Sequence, residues 1–373
     1  MNKVGIMSMQ RIANYGSFLQ AYALKEILQE REVNIEFVDY HIEPVVISQV
    51  QNEKRGISGK VYKALETMRY DAPLLHKFEF LKYKEAFSRS YLPILGISKD
   101  MNYTPELDCL LIGSDEVFNC IQKNANVGCS MELFGKDNRA KKLISYAASF
   151  GNTTLEKLVF YRKADEVGRL LKTFDCISVR DKNSGIIVEQ LTGKMPEYHF
   201  DPVLIYDFIN KCNRIPIWKS TEKYLILYAY SGRISNNEAI WITDYAKKRG
   251  LKIYAIGGIQ KCADRFINCT PFEIFTYFIN AEEIITDTFH GSIFSIITHK
   301  KFTTIVRESI DDSYGNEEKL IDLLTRLNLM DRLTKSIQYV NKINEKEVNY
   351  DLVDKIIYEQ RQKTNEYFKR EIG

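Results

Sequence analysis

Short apolar runs typical of β-strands alternate with helical stretches along most of the chain, and this alternation limits the fold to α/β proteins with mostly parallel sheets. The first half contains strand-like runs at Val4–Met9 and Leu107–Gly113, with a predicted helix at Phe18–Glu30 after the first of them. A second series begins at Tyr224–Tyr230 and continues through Glu283–Thr286, with a predicted helix at Asn236–Arg249 between them. The pattern predicts doubly wound, Rossmann-like sheets.

The chain has 373 residues, which is more than one hydrophobic core usually serves, so two domains are expected. The strand and helix pattern lapses at Asp207–Lys223, where Asn, Pro, Lys and Thr accumulate. We therefore predict an N-terminal Rossmann-like domain at residues 1–206 and a C-terminal one at residues 224–344. Residues 345–373 are predicted to form an amphipathic helix that packs on the domains.

Composition excludes several classes of protein. Lys and Arg number 52 against 49 Asp and Glu, and a net charge of +3 is too small for a nucleic-acid footprint. The start of the chain lacks a signal-peptide core, and no run of 18 apolar residues follows, so we expect a cytoplasmic protein. Seven cysteines without a C-x-x-C pair indicate free thiols, with no metal site and no disulfides.

Two loops that follow predicted strands in the first half carry polar side chains. In open α/β sheets, ligands bind at the carboxyl ends of the strands. The first loop ends in Asn14-Tyr15-Gly16-Ser17, which can equally be a turn with a helix cap at Ser17. The second, Gly113–Asn119, is compatible both with a site and with a surface loop that caps a helix through Ser114 or Asp115.

Two further residues are candidates for chemistry. Arg180 ends a predicted strand next to Asp181, and pairing with that carboxylate or with another neighbour is the alternative to a role in binding. His290 lies at a turn between a strand and a helix, beside Gly291, where catalysis is better served than on a helix face. A structural histidine is the alternative.

Missing motifs narrow the possibilities further. The sequence has no G-x-G-x-x-G after its first strand, no Walker A loop, no H-E-x-x-H and no G-x-S-x-G. Dinucleotide oxidoreductases, P-loop NTPases, zincins and α/β-hydrolases are therefore disfavoured.

Taken in order, these blocks resemble the polysaccharide pyruvyl transferase family. Members of that family show an Asn-Tyr-Gly loop before a Leu-Gln-Ala-Tyr-Ala-Leu helix, followed by five further blocks. The corresponding segments here are Asn14–Leu24, Gly113–Asn119, Ser145–Gly151, Ser178–Asp181, Asp201-Pro202 and Thr286–Gly291. The resemblance extends from the first strand to about Asp331.

The resemblance implies a fold similar to B-type glycosyltransferases, with two Rossmann-like domains facing across a cleft. It implies a phosphoenolpyruvate donor and a product in which pyruvate bridges two sugar hydroxyls as a ketal. Such ketals occur in cell-surface polysaccharides such as capsule and exopolysaccharide. The functional His and Arg of the family correspond to His290 and Arg180.

The chain departs from the family pattern at three places. Glu116 replaces a Gln, and Phe118 replaces a Trp. Where relatives read Asn-Ser-Arg, this chain has Asn316-Glu317-Glu318-Lys319. If that Arg grips the donor, Lys319 supplies a point charge without a bidentate fork.

From these residues we expect a division of roles. His290, Arg180 and Asp115 are the candidate catalytic groups, with His290 as an acid or as a hydrogen-bond donor that stabilises the phosphate, and Asp115 as a base or as a group that positions the acceptor. The expected donor-binding residues are Arg180, His290, Gly291, Ser292 and Lys319. The residues expected to contact the acceptor or to line the cleft are Asn14, Tyr15, Gly16, Ser114, Glu116 and Asn119.

No cofactor or metal ion is expected, because phosphoenolpyruvate is itself the substrate. The expected partners are phosphoenolpyruvate and a sugar acceptor that is lipid-linked, with peripheral contact at the inner membrane face and no nucleic acid. Three other functions stay open at this point: a nucleotide-sugar glycosyltransferase of the same architecture, a non-catalytic carbohydrate-binding or scaffold protein, and a transferase that uses another enol or phosphorylated donor.

Overall fold

A computed structural model describes residues 2–47, 67–122, 124, 126–307 and 317–373. The chain divides into two compact units. Unit 1 comprises Met1–Asn52, Ser90–Tyr206 and Asp354–Gly373, and unit 2 comprises Glu53–Arg89 and Asp207–Val353. The three gaps in the described ranges between residues 47 and 126, and the gap at residues 308–316, fall within these spans.

Unit 1 is built on a parallel six-stranded sheet in the order β2-β1-β3-β4-β5-β6. Its strands are β1 (Lys3–Met7), β2 (Asn34–Phe37), β3 (Glu106–Asp115), β4 (Arg139–Ala148), β5 (Ser178–Val179) and β6 (Glu197–Tyr198). Its helices include α1 (Tyr15–Gln29), α3 (Leu155–Phe160), α4 (Ala164–Leu171), α5 (Lys182–Thr192) and α6 (Pro202–Ile205). This is the doubly wound α/β arrangement that the sequence predicts.

Unit 2 repeats the architecture with a second parallel sheet, in the order β12-β11-β10-β7-β8-β9. Its strands are β7 (Tyr224–Tyr228), β8 (Lys252–Ile256), β9 (Arg265–Phe266), β10 (Glu283–Thr286), β11 (Phe302–Ile305) and β12 (Leu333–Thr334). Its helices include α7 (Phe208–Lys211), α8 (Asn236–Arg249), α9 (Glu273–Asn280), α10 (Phe289–Ile297), α11 (Glu317–Arg326) and α12 (Val340–Asn344). The fold class is therefore α/β with two doubly wound sheets, as predicted.

One helix lies in a unit that the predicted ranges do not give it. Helix α2 (Leu74–Ser90) falls inside the predicted first domain, yet all but its last residue belongs to unit 2. Its Phe80 and Tyr83 pack against Phe266, with ring centroids 5.6 and 6.4 Å apart. These contacts join segments far apart in the sequence, so periodicity alone could not place the helix.

The last helix, α13 (Tyr350–Glu371), contributes most of its length to unit 1. The Phe368 ring packs 4.7 Å from that of Tyr146, and the Tyr367 hydroxyl donates to the Ser145 carbonyl at 2.7 Å. Both aromatic side chains are buried. Among the described residues, the helices are too short or too polar to cross a membrane.

Candidate functional site

The strand order of unit 1 reverses between β1 and β3, which are neighbours in the sheet. In doubly wound sheets, ligands bind beside the carboxyl ends of the strands at such a switch point. The loop that leaves β1 carries Asn14, and the end of β3 together with the loop after it carries the Ser114–Asn119 segment. The fold thus brings the two predicted polar loops of the first half to one edge of the sheet.

Asn14 is the N-cap of helix α1. Its backbone is extended, with φ of −149° and ψ of 157°, and its side-chain oxygen accepts the Ser17 N–H at 2.7 Å. The interpretation of Ser17 as the cap is wrong, because Ser17 already lies inside the helix and Asn14 satisfies its N–H. The Ser17 hydroxyl donates instead to Asp115 Oδ2 at 2.8 Å. Tyr15 and Gly16 form the buried first turn of α1.

Asp115 ends β3 in a conformation that side chains rarely adopt. Its φ is 75°, in the left-handed region, which costs conformational energy for any residue except glycine. One carboxylate oxygen accepts from the Ser17 hydroxyl, and the other accepts the Glu116 N–H at 2.9 Å. Neither Ser114 nor Asp115 caps a helix, so the surface-cap alternative for this loop is not what the structure shows.

Arg180 follows β5 and is almost fully buried, with 2% of its side chain exposed. NH1 donates to Asp201 Oδ2 at 2.9 Å, and NH2 lies 3.5 Å from Asp115 Oδ1 and 4.0 Å from Glu116 Oε1. Burial lowers the pKa of the Arg180 guanidinium, but the surrounding carboxylates, Asp115 foremost, outweigh it and hold that pKa above its usual range. Arg180 is therefore a permanent cation that links the carboxylates of Asp115 and Asp201.

The neighbouring Asp181 is not the partner of Arg180 in this arrangement. Asp181 is the N-cap of α5, where its Oδ1 accepts the Ser184 N–H at 2.8 Å, and its Oδ2 accepts from the Ser149 hydroxyl at 2.6 Å. Ser114 belongs to the Arg180 network through Asp201. The Ser114 hydroxyl is 3.4 Å from Asp201 Oδ2 and 3.1 Å from the Ala147 carbonyl.

Glu116 and Asn119 form the outer part of this group. The Asn119 amide donates to Glu116 Oε2 at 2.9 Å and to Asn152 Oδ1 at 3.1 Å. Gly151 makes room for them, because a Cβ atom there would lie 2.5 Å from both side chains. Glu116, the residue that departs from the family pattern, is thus held in a defined orientation beside Asp115.

In unit 2, the strand order reverses between β7 and β10, and the Thr286–Gly291 turn leaves the carboxyl end of β10. Thr288 is the N-cap of α10, and its hydroxyl oxygen accepts the Gly291 N–H at 2.9 Å. His290 is the second residue of that helix and is half-buried. A helix N-terminus favours anions through its N–H groups and its dipole.

Gly291 and Ser292 are both packed tightly against neighbouring residues of this turn. A Cβ atom on Gly291 would lie 2.2 Å from Thr286 Oγ1 and 2.7 Å from Thr288 Oγ1, so only glycine fits. The buried Ser292 hydroxyl lies 3.1 Å from the Thr288 carbonyl and 2.8 Å from Thr304 Oγ1. If the two residues contact the donor substrate as predicted, Gly291 must do so through its backbone, and Ser292 through its backbone or through a hydroxyl that has left its present partners.

The sequence pattern did not single out Arg233 and Arg307, the two arginines whose charges act on Asp287 at this edge of unit 2. Arg307 follows β11 and donates to Asp287 Oδ2 at 3.3 Å and to Glu238 Oε1 at 2.7 Å. Burial raises the pKa of the Asp287 carboxyl, although Arg233 and Arg307 oppose that shift. The available signal was positional, since each arginine follows an apolar strand, as Arg180 does.

Lys319 is the third residue of α11 in unit 2 and is half-buried. Asn316, from the same departure from the family pattern, lies outside the described residues. The structure thus places the predicted residues in two groups. Asn14, Ser114, Asp115, Glu116, Asn119 and Arg180 lie together in unit 1, and His290, Gly291 and Ser292 lie together in unit 2.

Within the described part of the chain, one group of side chains has the spacing of metal ligands. The ligand atoms of Cys176, Glu197 and Glu371 lie within 4.8 Å of one another. Arg370 pairs with both carboxylates, and Lys142 lies 2.8 Å from Glu371. These cations already neutralise the group, so it is best described as a surface ion-pair cluster.

Two doubly wound sheets with polar groups at both switch points define a two-unit α/β protein whose polar side chains lie where such sheets bind ligands. The sequence model of the polysaccharide pyruvyl transferase family matches residues 14–309, and the chain belongs to this family. That span includes every residue of the two groups described above.

Several solved structures match the chain over nearly its whole length. The MnaA-UDP co-structure from S. aureus is 12% identical, with a TM-score of 0.45, and the match covers 97% of this chain and 91% of that one. UDP-GlcNAc 2-epimerase from Neisseria meningitidis, bound to UDP-GlcNAc, is 12% identical with a TM-score of 0.43, covering 97% and 100%. The glycotransferase of kitacinnamycin is 9% identical with a TM-score of 0.49, covering 99% of both chains. No curated protein matches significantly.

Proposed function

We propose that this chain transfers the pyruvyl group of phosphoenolpyruvate to a sugar of a cell-surface polysaccharide precursor. The observation that carries the proposal is the family match, which spans both switch-point groups. Phosphoenolpyruvate and two hydroxyls of one sugar are converted to a cyclic pyruvate ketal and inorganic phosphate. We further propose that the reaction takes place in the cytoplasm and requires neither a cofactor nor a metal ion.

In this proposal, the reaction begins with protonation of the enol at its methylene carbon, which becomes the methyl group of the ketal. The carbon that carries the phosphate becomes electrophilic, and one sugar hydroxyl attacks it and loses its proton. A second hydroxyl then displaces the phosphate and loses its proton in turn. One of the two released protons balances the proton used in the first step, and the other leaves with hydrogen phosphate.

The unit 2 group suits the donor. Phosphoenolpyruvate carries a phosphate and a carboxylate, and the N-terminus of α10 offers N–H donors to anions. Arg233 and Arg307 add positive charge near Asp287, three residues before His290. We assign His290 the role of proton donor or phosphate ligand, supported by its position in the first turn of α10.

The unit 1 group suits general-base chemistry. Asp115 has a carboxylate whose orientation is held by Ser17, by its neighbour's N–H and by Arg180. A positioned carboxylate of this kind can accept a proton from an attacking hydroxyl. We assign that role to Asp115, with Asn14, Glu116 and Asn119 as contacts for the acceptor sugar. In the structure Arg180 positions Asp115. The family resemblance implies that Arg180 also contacts phosphoenolpyruvate, which would be a second role.

The proposal is tested by following two products in one reaction. Phosphoenolpyruvate labelled at its methylene carbon is incubated with the chain and with lipid-linked glycans as acceptors. We expect release of inorganic phosphate together with an NMR signal for the methyl carbon of a ketal, both of which require the acceptor. Consumption of a nucleotide sugar with phosphoenolpyruvate left intact would instead identify a glycosyltransferase.

A further inference from the structure

A basic loop at residues 211–223 of unit 2 displays apolar side chains to solvent. It contains four cations, all on exposed residues, against the single acidic residue Glu222. The cations are Lys211, Arg214, Lys219 and Lys223. Ile217, in the middle of the basic loop, is 99% exposed, and Ile279 of the adjoining helix α9 is also exposed.

The basic loop is held in place, so the exposure of Ile217 does not come from a dangling chain. Residues on both sides of Ile217 are bound to α9. Thr276 donates its hydroxyl to the Pro216 carbonyl, and the Asn280 amide donates to the Trp218 carbonyl at 2.9 Å. The Ser220 N–H donates to Asn280 Oδ1 at 3.0 Å. The Trp218 ring packs edge-on against Tyr277, with centroids 4.8 Å apart.

Beside Trp218 lies a cavity of about 300 Å³ that cations and hydroxyls line together with aromatic rings. Lys219 and Arg265 contribute the cations, and Ser220 and Thr221 contribute the hydroxyls. Glu222 also lines the cavity, where it pairs with Arg265 at 3.1 Å and accepts from the Tyr254 hydroxyl. Lysine, arginine and hydroxyl donors of this kind bind phosphate oxygens. Because Glu222 pairs with Arg265, the cavity offers a phosphate headgroup mainly the Lys219 cation and the Thr221 hydroxyl, next to the exposed Ile217 and the half-buried Trp218.

We propose that the basic loop docks the chain onto an anionic lipid bilayer. Ile217 and Trp218 enter the interface between headgroups and acyl chains, where tryptophan is favoured, and the cations bind lipid phosphates. A sugar chain is polar and would not bury the Ile217 side chain in an apolar environment, whereas the acyl chains of a bilayer would. The exposed Ile217 therefore favours a lipid surface over a sugar chain. This inference goes beyond the proposed function, because it requires no particular donor or reaction.

The test is co-sedimentation of the full chain with vesicles of phosphatidylcholine that contain phosphatidylglycerol, or of phosphatidylcholine alone. We expect binding to the anionic vesicles that weakens with added salt. Ile217→Ser should weaken that binding about tenfold, from the lost burial of one aliphatic side chain. Arg214→Gln with Lys219→Gln should weaken it about thirtyfold, because each cation near the surface contributes about a factor of five.

Matched controls come from helix α8 of the same unit. Ile240 is 62% exposed, and Lys247 and Lys248 are exposed cations. Ile240→Ser, and Lys247→Gln with Lys248→Gln, should leave vesicle binding unchanged. All of these variants alter exposed side chains outside the two candidate groups, so their folds should persist.

A second measurement uses tryptophan emission. The chain has only two tryptophans, so the Trp241→Phe variant reports on Trp218 alone. Its emission should shift to shorter wavelength when anionic vesicles are added. No binding to either kind of vesicle, equal losses in the α8 controls, or an emission change with oligosaccharides but not with vesicles would overturn the proposal. None of these outcomes would bear on phosphoenolpyruvate transfer.

Discussion

Arg180 lies within 4.0 Å of three carboxylates, which makes its guanidinium the point on which the unit 1 group depends. The sequence pattern singled out this residue, because it ends a predicted strand. It did not find the partners, since Asp115, Glu116 and Asp201 come from two other parts of the chain. Predicting that convergence requires the strand order of the sheet, which a single sequence does not state.

Replacing Arg180 tests the network directly. Arg180→Met leaves Asp201 and Asp115 buried without their cation, and breaking a buried pair costs about 3–5 kcal/mol. Arg180→Lys should restore most of that stability but not the activity, since an ammonium lacks the planar fork. Chemical denaturation and rate measurements on both variants check this. The control is Arg89→Met, which removes an exposed pair with Glu85 and should change little. A fully active Arg180→Lys variant would contradict the assignment.

His290 gives a second prediction at the residue scale. His290→Asn keeps a polar side chain of similar size but removes the imidazole, so the rate should fall by ~10²–10⁴-fold with little loss of stability. The same change at His299, an exposed histidine just beyond the other end of α10, should leave the rate unaltered. Activity of His290→Asn within threefold of the parent would rule out proton transfer by this residue.

At the scale of elements, long and strongly patterned segments were predicted well. Helix α8 and strand β10 have the predicted bounds, Asn236–Arg249 and Glu283–Thr286. Both carry local signals, a Ser235 capping box in the first case and a buried apolar run in the second. The edge strands β6, β9 and β12 were missed because two residues leave no readable periodicity.

The cap of α10 yields a prediction for an element. Thr288→Val removes the oxygen that accepts the Gly291 N–H, which should cost about 1 kcal/mol of stability. Because the cap also orients the first turn around His290, activity should fall as well. The matched control is Thr154, the N-cap of α3, whose hydroxyl oxygen accepts the Lys157 N–H. Thr154→Val should cost similar stability and leave the activity unchanged. Equal activity in the two variants would mean that the α10 turn has no part in the reaction.

At the scale of the whole molecule, the sequence predicted two doubly wound sheets and a family, and the structure and the family match confirm both. It did not assign helix α2 to unit 2, nor the body of helix α13 to unit 1. Those assignments rest on aromatic contacts between distant segments, such as Phe80 with Phe266 and Phe368 with Tyr146. Pattern along the chain carries no information about such pairings.

The identity of the donor is the central claim, and ligand-induced stabilisation of the full chain tests it most directly. A ligand at ~100 times its dissociation constant adds roughly 2.7 kcal/mol to the stability of the state that binds it. For domains of this size, that corresponds to a rise in melting temperature of about 5–10 °C. We predict this rise with phosphoenolpyruvate, its loss in the Arg180→Lys variant, and no rise with nucleotide diphosphate sugars. Stabilisation by nucleotide sugars, with phosphoenolpyruvate inert, would contradict the account and identify a glycosyltransferase.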